Sequence, residues 1–140
     1  MAVNVYINFN GNCREAVEYY SQVFKTEEPQ IMTFGEAPKD PNFSLPDEVK
    51  DLVMHTRLNI GGSNVMFSDT FPDYPFVVGN NISLAYMSDD EAEIKAAFET
   101  LKEGGKVGMD IQETFWSKCY GIVTDKFGIE WQLSLEMNNH

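Results

Sequence analysis

Two stretches of this chain follow one plan, and that repetition limits its fold more than any other feature. "VNVYINF" runs into "NCREAVEYYSQVF", and "NISLAYM" runs into "SDDEAEIKAAFETLKEGG". Each pair is a strand-like run followed by an amphipathic helix. In the first helix Val17, Tyr20 and Phe24 share a face, and a shift of 77 residues carries them onto Ile94, Ala97 and Leu101. Asn12 with Glu15 reads as a capping box for the first helix, and either Ser88 with Glu91 or the next residue, Asp89, as the cap of the second, which Gly104-Gly105 ends. Three strand candidates follow each helix: "PQIMTFG", "MHTRLNI" and "NVMFSD", then "KVGMDI", "YGIVT" and "IEWQLSL". Gly61-Gly62-Ser63 and Asp125-Lys126-Phe127-Gly128 supply the last hairpin turn of each set. The reading is α+β, with two paired β-α-β-β-β modules.

A single domain over residues 1–140 accommodates this plan, with module one at about 1–70, a linker at about 71–80 and module two at about 81–138. The linker "TFPDYPFVVGNN" carries Pro72, Pro75 and Gly79. A longer Pro-containing stretch, "EAPKDPNFSLPDEVKDL", joins the second and third strands of module one and reads as a lid or a solvated insertion. With 22 acidic against 10 basic residues the net charge is −12, which repels phosphate backbones and anionic lipid. Nucleic acid and membrane are therefore not expected partners. No run approaches the roughly 20 apolar residues of a membrane span, and Met1-Ala2-Val3-Asn4 lacks the start of a secretory signal. A cytoplasmic protein is expected. Cys13 and Cys119 have no C-x-x-C spacing and read as reduced packing residues.

Side chains alternate across a strand, so each strand can be split into two faces. Val3, Val5, Ile7 and Phe9 oppose Asn4, Tyr6 and Asn8, while Met54, Leu58 and Ile60 oppose His55, Arg57 and Asn59. Val65 and Phe67 oppose Met66 and Ser68; Ile82, Leu84 and Tyr86 oppose Ser83 and Ala85; Ile129, Trp131 and Leu133 oppose Glu130, Gln132 and Ser134. The polar faces thus collect Tyr6, Asn8, His55, Arg57, Ser68, Ser83 and Gln132 beside Met66. Such a mixed lining suits a small-molecule site, although a sheet face left to solvent gives the same alternation.

The paired modules, with "F-N-G-N-C-x-E-A" near the start and "T-D-x-F-G-x-x-W" near the end, resemble the PhnB-like branch of the vicinal oxygen chelate superfamily. That superfamily holds glyoxalase I, extradiol dioxygenases and bleomycin-resistance proteins. The resemblance implies eight strands in two curved mixed sheets around a cleft, helices outside, and commonly a homodimer. Metal-dependent relatives take ligands from positions that fall near Tyr6, Met66 or Ser68, Ser83 and Gln132 of this chain. Only Gln132 among them suits a divalent ion, so the resemblance implies a lost metal site and no cofactor. The branch often carries a demethylubiquinone methyltransferase label. The absence of a glycine-rich turn opening a doubly wound sheet argues against it.

The expected function is a metal-independent small-molecule-binding protein, its ligand aromatic or cationic and held in the cleft between modules. The alternative is a metal-dependent lyase, isomerase or dioxygenase of the same superfamily. His55 and Gln132 are the catalytic candidates for the enzyme reading. Arg57 would meet an anionic group or pair with a surface acid, and Phe115 and Trp116 would cap one end of the cleft and stack on a planar ligand, or pack against the helix. A reactive Cys119 is not favoured, with only Lys118 beside it, and His140 is terminal.

Overall fold

The computed structural model describes residues 1–38, 41 and 44–137, so His140 lies outside the described residues. It divides into two compact units, Met1–Phe76 and Val77–His140. In the first, β1 (Val5–Phe9) leads into α1 (Cys13–Phe24), then β2 (Met32–Thr33), β3 (Val53–Ile60) and β4 (Ser63–Asp69). In the second, β5 (Ser83–Ser88) leads into α2 (Glu91–Lys102), then β6 (Lys106–Gln112), β7 (Tyr120–Thr124) and β8 (Glu130–Leu135). The sheets run β1-β4-β3-β2 and β5-β8-β7-β6. Each has one parallel pair, β1 with β4 or β5 with β8, and antiparallel pairs elsewhere. The α+β reading with two β-α-β-β-β modules holds.

In each unit the helix lies against the apolar sheet face. Ala16, Val17, Tyr20 and Val23 of α1 are buried with Phe9, Leu58, Val65 and Phe67, and Tyr20 stacks on Phe67 at 5.9 Å. Ile94, Ala97, Phe98 and Leu101 of α2 are buried with Val123, Trp131 and Leu133. Close approach is built into β7, where a Cβ at Gly121 would lie 2.9 Å from the Phe98 ring. Both ends of the two helices are 78 residues apart, one more than the apolar matching gave, because Ala16, Tyr20 and Val23 are the counterparts of Ile94, Phe98 and Leu101.

Several local expectations change. The Asn12 side chain makes no capping bond. Its role falls to Asp69 at the end of β4, whose Oδ1 accepts from the amides of Gly11 at 2.9 Å and Cys13 at 3.0 Å. Asp69 Oδ2 accepts from Val53 N at 2.9 Å, so one buried carboxylate joins the turn into α1, the start of β3 and the end of β4. Asp90, rather than Ser88 or Asp89, caps α2, accepting from Ala92 N and Glu93 N. The strand expected at "PQIMTFG" is two residues long, because Thr33 and Glu36 form a capping box that turns the chain into a short 3-10 helix, Phe34–Glu36. β5 starts at Ser83, which leaves Ile82 75% exposed instead of packed. Thr56 joins the apolar face, buried, with its hydroxyl donating to Gln30 O at 2.9 Å.

The hairpin between β7 and β8 explains the second motif. Asp125 Oδ1 accepts from Phe127 N at 2.8 Å and Ile129 N at 3.1 Å, and its Oδ2 accepts from the Trp131 indole at 2.9 Å. Gly128 sits at φ 91°, a left-handed conformation that glycine adopts without steric cost. The D, G and W of "T-D-x-F-G-x-x-W" are thus parts of one turn.

Asp69→Ala would strand three backbone donors in the first unit and is predicted to cost about 3 kcal/mol or more in urea unfolding. Gly121→Ala is predicted to cost about 1–3 kcal/mol through overpacking against Phe98. A loss below about 1 kcal/mol for Asp69→Ala would remove the carboxylate from its structural role.

Candidate functional site

Opposite the helix, the first unit carries a polar face built by register. Tyr6 of β1 and Arg57 of β3 both pair with Met66 of β4, so the three form one rung. Asn8 pairs with Ser68 in the next, and the Ser68 hydroxyl donates to Asn8 Oδ1 at 3.3 Å. The Tyr6 and His55 rings lie 6.0 Å apart, tilted by 42°, and Met32 of β2 pairs with His55. Tyr6, Asn8 and Arg57 are exposed, while His55 and Met66 are half-buried. Lys50 pairs with Asp47, Lys95 with Glu91 and Lys102 with Glu99, all local in sequence and exposed. Arg57 belongs to none of them, so the salt-bridge reading finds no partner among the described residues.

The second unit carries a tighter arrangement. Gln132, in the middle of β8, pairs with Ala85 of β5 on one side and Ile122 of β7 on the other. Its Oε1 accepts from the Tyr120 hydroxyl at 2.6 Å, and its Nε2 donates to Ser83 Oγ at 2.9 Å. One line of hydrogen bonds therefore crosses β7, β8 and β5 on the face away from α2. Trp116 meets Tyr120 edge to face at 5.2 Å, and Phe115 meets Trp116 the same way at 4.8 Å. Tyr120 is buried, Trp116 is 49% exposed and Phe115 is 97% exposed. Of the two aromatics, Trp116 borders the polar line, and Phe115 projects into solvent with an open ring face.

The structure thus joins Tyr6 to His55, Asn8 to Ser68, Ser83 to Gln132 and Phe115 to Trp116, each pair within one unit. Tyr120 was missed. Its strand was read correctly as "YGIVT", and extending the alternation to it would have placed Tyr120 on the face of Gln132.

The family described as 3-demethylubiquinone-9 3-methyltransferase matches residues 2–134. The chain belongs to that family. It is a PhnB-like member of the vicinal oxygen chelate superfamily. Protein YjdN of Escherichia coli K12 is 33% identical over 96% of this chain and 95% of its own length. Among solved structures, protein PA1353 from Pseudomonas aeruginosa is 36% identical over 96% of both chains with a TM-score of 0.82. A putative 3-demethylubiquinone-9 3-methyltransferase, PhnB protein, from Bacillus cereus is 25% identical over 97% of this chain and 100% of that one, with a TM-score of 0.74.

Metal-dependent members of the superfamily need several strong donors, and the positions expected for them in this chain carry weak ones. The positions expected for ligands hold a phenol, a thioether or a hydroxyl, a second hydroxyl and an amide, and the amide oxygen of Gln132 is already an acceptor for Tyr120. Among the described residues there is no group of three or more His, Cys, Asp or Glu that could hold an ion. These residues do not fit a divalent metal.

Both thiols are buried away from this chemistry. Burial first, then the Asp69 carboxylate, pushes the Cys13 thiol far up, and burial followed by Glu91 raises that of Cys119. The raised direction keeps both protonated at neutral pH, and the thiolate is the reactive form. Ellman's reagent at pH 7.5 is predicted to react with neither cysteine in native protein and with both in urea. Rapid native labelling would contradict this.

Proposed function

We propose that this PhnB-like chain binds a small molecule without a resident metal. One observation carries the reading: the Gln132 amide is held on both sides, by Tyr120 and by Ser83, where the metal-dependent relatives are expected to place a ligand side chain. A neutral amide neither takes a proton at useful pH nor competes well for a divalent ion. Locked between two partners, it serves as a fixed recognition group among aromatic and apolar neighbours. Trp116, half-exposed beside Tyr120, supplies a flat apolar surface for an aromatic ligand.

The methyltransferase activity named by the family label has little support in these residues. The chain does pass from β1 to α1 through a turn with one glycine, Gly11. The amides of Gly11 and Cys13 are taken by Asp69, where a cofactor-binding turn would need them free. The sheet order β1-β4-β3-β2, antiparallel for two of its three pairings, also differs from a doubly wound sheet. No specific observation favours the enzyme alternative. A histidine base is normally oriented by a hydrogen-bonding partner, and the His55 side chain has none among the described residues, meeting only the Tyr6 ring.

Untagged protein analysed by plasma mass spectrometry is predicted to carry well under one divalent metal per chain, with a melting temperature unmoved by EDTA. Near-stoichiometric metal whose removal lowers the melting temperature would overturn the proposal. In a screen of aromatic compounds, fluorescence changes are predicted to come from Trp116 and to vanish in Trp116→Phe, because Trp131 is buried with its indole on Asp125.

A further inference from the structure

The line of hydrogen bonds through Gln132 has a direction. The 2.6 Å contact to Tyr120 has the length of an O–H···O bond, and the 2.9 Å contact to Ser83 that of an N–H···O bond. A phenol is also a stronger donor and weaker acceptor than an alcohol, because its lone pair is shared with the ring. Tyr120 therefore donates to Oε1, which turns the amide nitrogen toward Ser83. Ser83 uses an oxygen lone pair on that bond, and among the described residues its own proton has no acceptor. The second Nε2 proton of Gln132 likewise has none. Two neutral donors are left side by side at the β5–β8 end of the line.

We infer that the second unit reads a neutral carbonyl oxygen on a planar ligand, with the Ser83 hydroxyl and the Gln132 amide as donors and Tyr120 as the positioning residue that fixes their polarity. Trp116 meets Tyr120 at the other end of the line, so it would lie along the ring of a ligand that spans the line. An ammonium group brings only protons; Ser83 and Gln132 would meet it as two further donors, and it would have to turn from them to Glu130, the partner of Ser83 in the β5–β8 ladder. A carboxylate could accept both protons, but neither donor carries a charge to offset its desolvation, and the chain's net charge of −12 adds repulsion. The neutral carbonyl meets neither obstacle. This inference rests on the binding reading above and adds the ligand class.

Three probes of similar shape test it: acetophenone, benzylammonium and benzoate, followed by the Trp116 indole and Gln132 amide signals in 15N–1H spectra of the full chain. Acetophenone is expected to move both signals and to bind more tightly than the two ions. Ser83→Ala is expected to weaken acetophenone by about fivefold, the loss of one neutral hydrogen bond. In Tyr120→Phe the amide is free to turn, so the preference for acetophenone over benzylammonium should fall toward parity, which lost packing alone would not produce. Tighter binding of benzylammonium or benzoate to the native chain, or an undiminished preference in Tyr120→Phe, would overturn the inference and leave the binding reading standing. If no probe moves the Trp116 signal, the binding reading and this inference fall together.

Discussion

The first unit depends on a carboxylate that is buried and meets backbone amides. Asp69 receives three N–H bonds from segments that are distant in sequence: the turn before α1, its first residue, and the start of β3. Each bond to a charged acceptor is worth about 1.5–3 kcal/mol, more than most surface ion pairs supply. Asp125 does comparable work in the second unit within one hairpin, binding two amides and an indole. With the helix junction and the hairpin secured at the strand ends, the middle of each polar sheet face is free of structural duty. The polar side chains proposed for recognition stand there, at Tyr6, Asn8 and Ser68 in one unit and at Ser83 and Gln132 in the other.

Much of this was legible because it obeys short periods. Period-two alternation placed Tyr6, Asn8, Arg57, Ser83 and Gln132 on the faces they occupy, and the paired glycines at 61 and 62 marked a tight hairpin between β3 and β4. What stayed hidden lies in long-range partners. A capping box is a local pattern, so Asn12 and Glu15 suggested one, while the true cap, Asp69, comes from 56 residues away at Cys13. Ile82 looked like strand by its side chain but precedes the first residue of the ladder. The direction of the Gln132 amide could not be read at all, because it is fixed by distances across three strands and not by any spacing in one.

The acidic balance of the chain and the chemistry of its polar faces point in different directions, and range decides between them. A net charge of −12 attracts cations from a distance, but exposed charges are screened beyond about 8 Å at physiological salt. Contact groups act within 3 Å and set what is held after arrival. On the first unit the charged group of the face is Arg57; on the second the free donors of Ser83 and Gln132 stand beside Glu130, which pairs with Ser83 in the β5–β8 ladder, so a cation would have to be taken by that carboxylate and not by the donors. Net charge therefore bears on solubility and approach, and the local donors on selectivity.

Under the proposed binding function, the identity of residue 132 carries the largest consequence for the smallest structural change. A carboxylate there would accept from both the Tyr120 and the Ser83 hydroxyls, turning the Ser83 proton inward and removing the amide donors together. The same strand position would then offer negative charge to a metal or a base to a substrate proton. With an amide, one oxygen is spent on Tyr120 and the nitrogen is aimed at Ser83, so the face donates. The strand register is indifferent to the choice, since Gln132 sits between Ala85 and Ile122 whichever group ends its side chain. A fold built on paired aspartates at its strand ends can therefore keep its architecture while one central side chain changes what the face recognises.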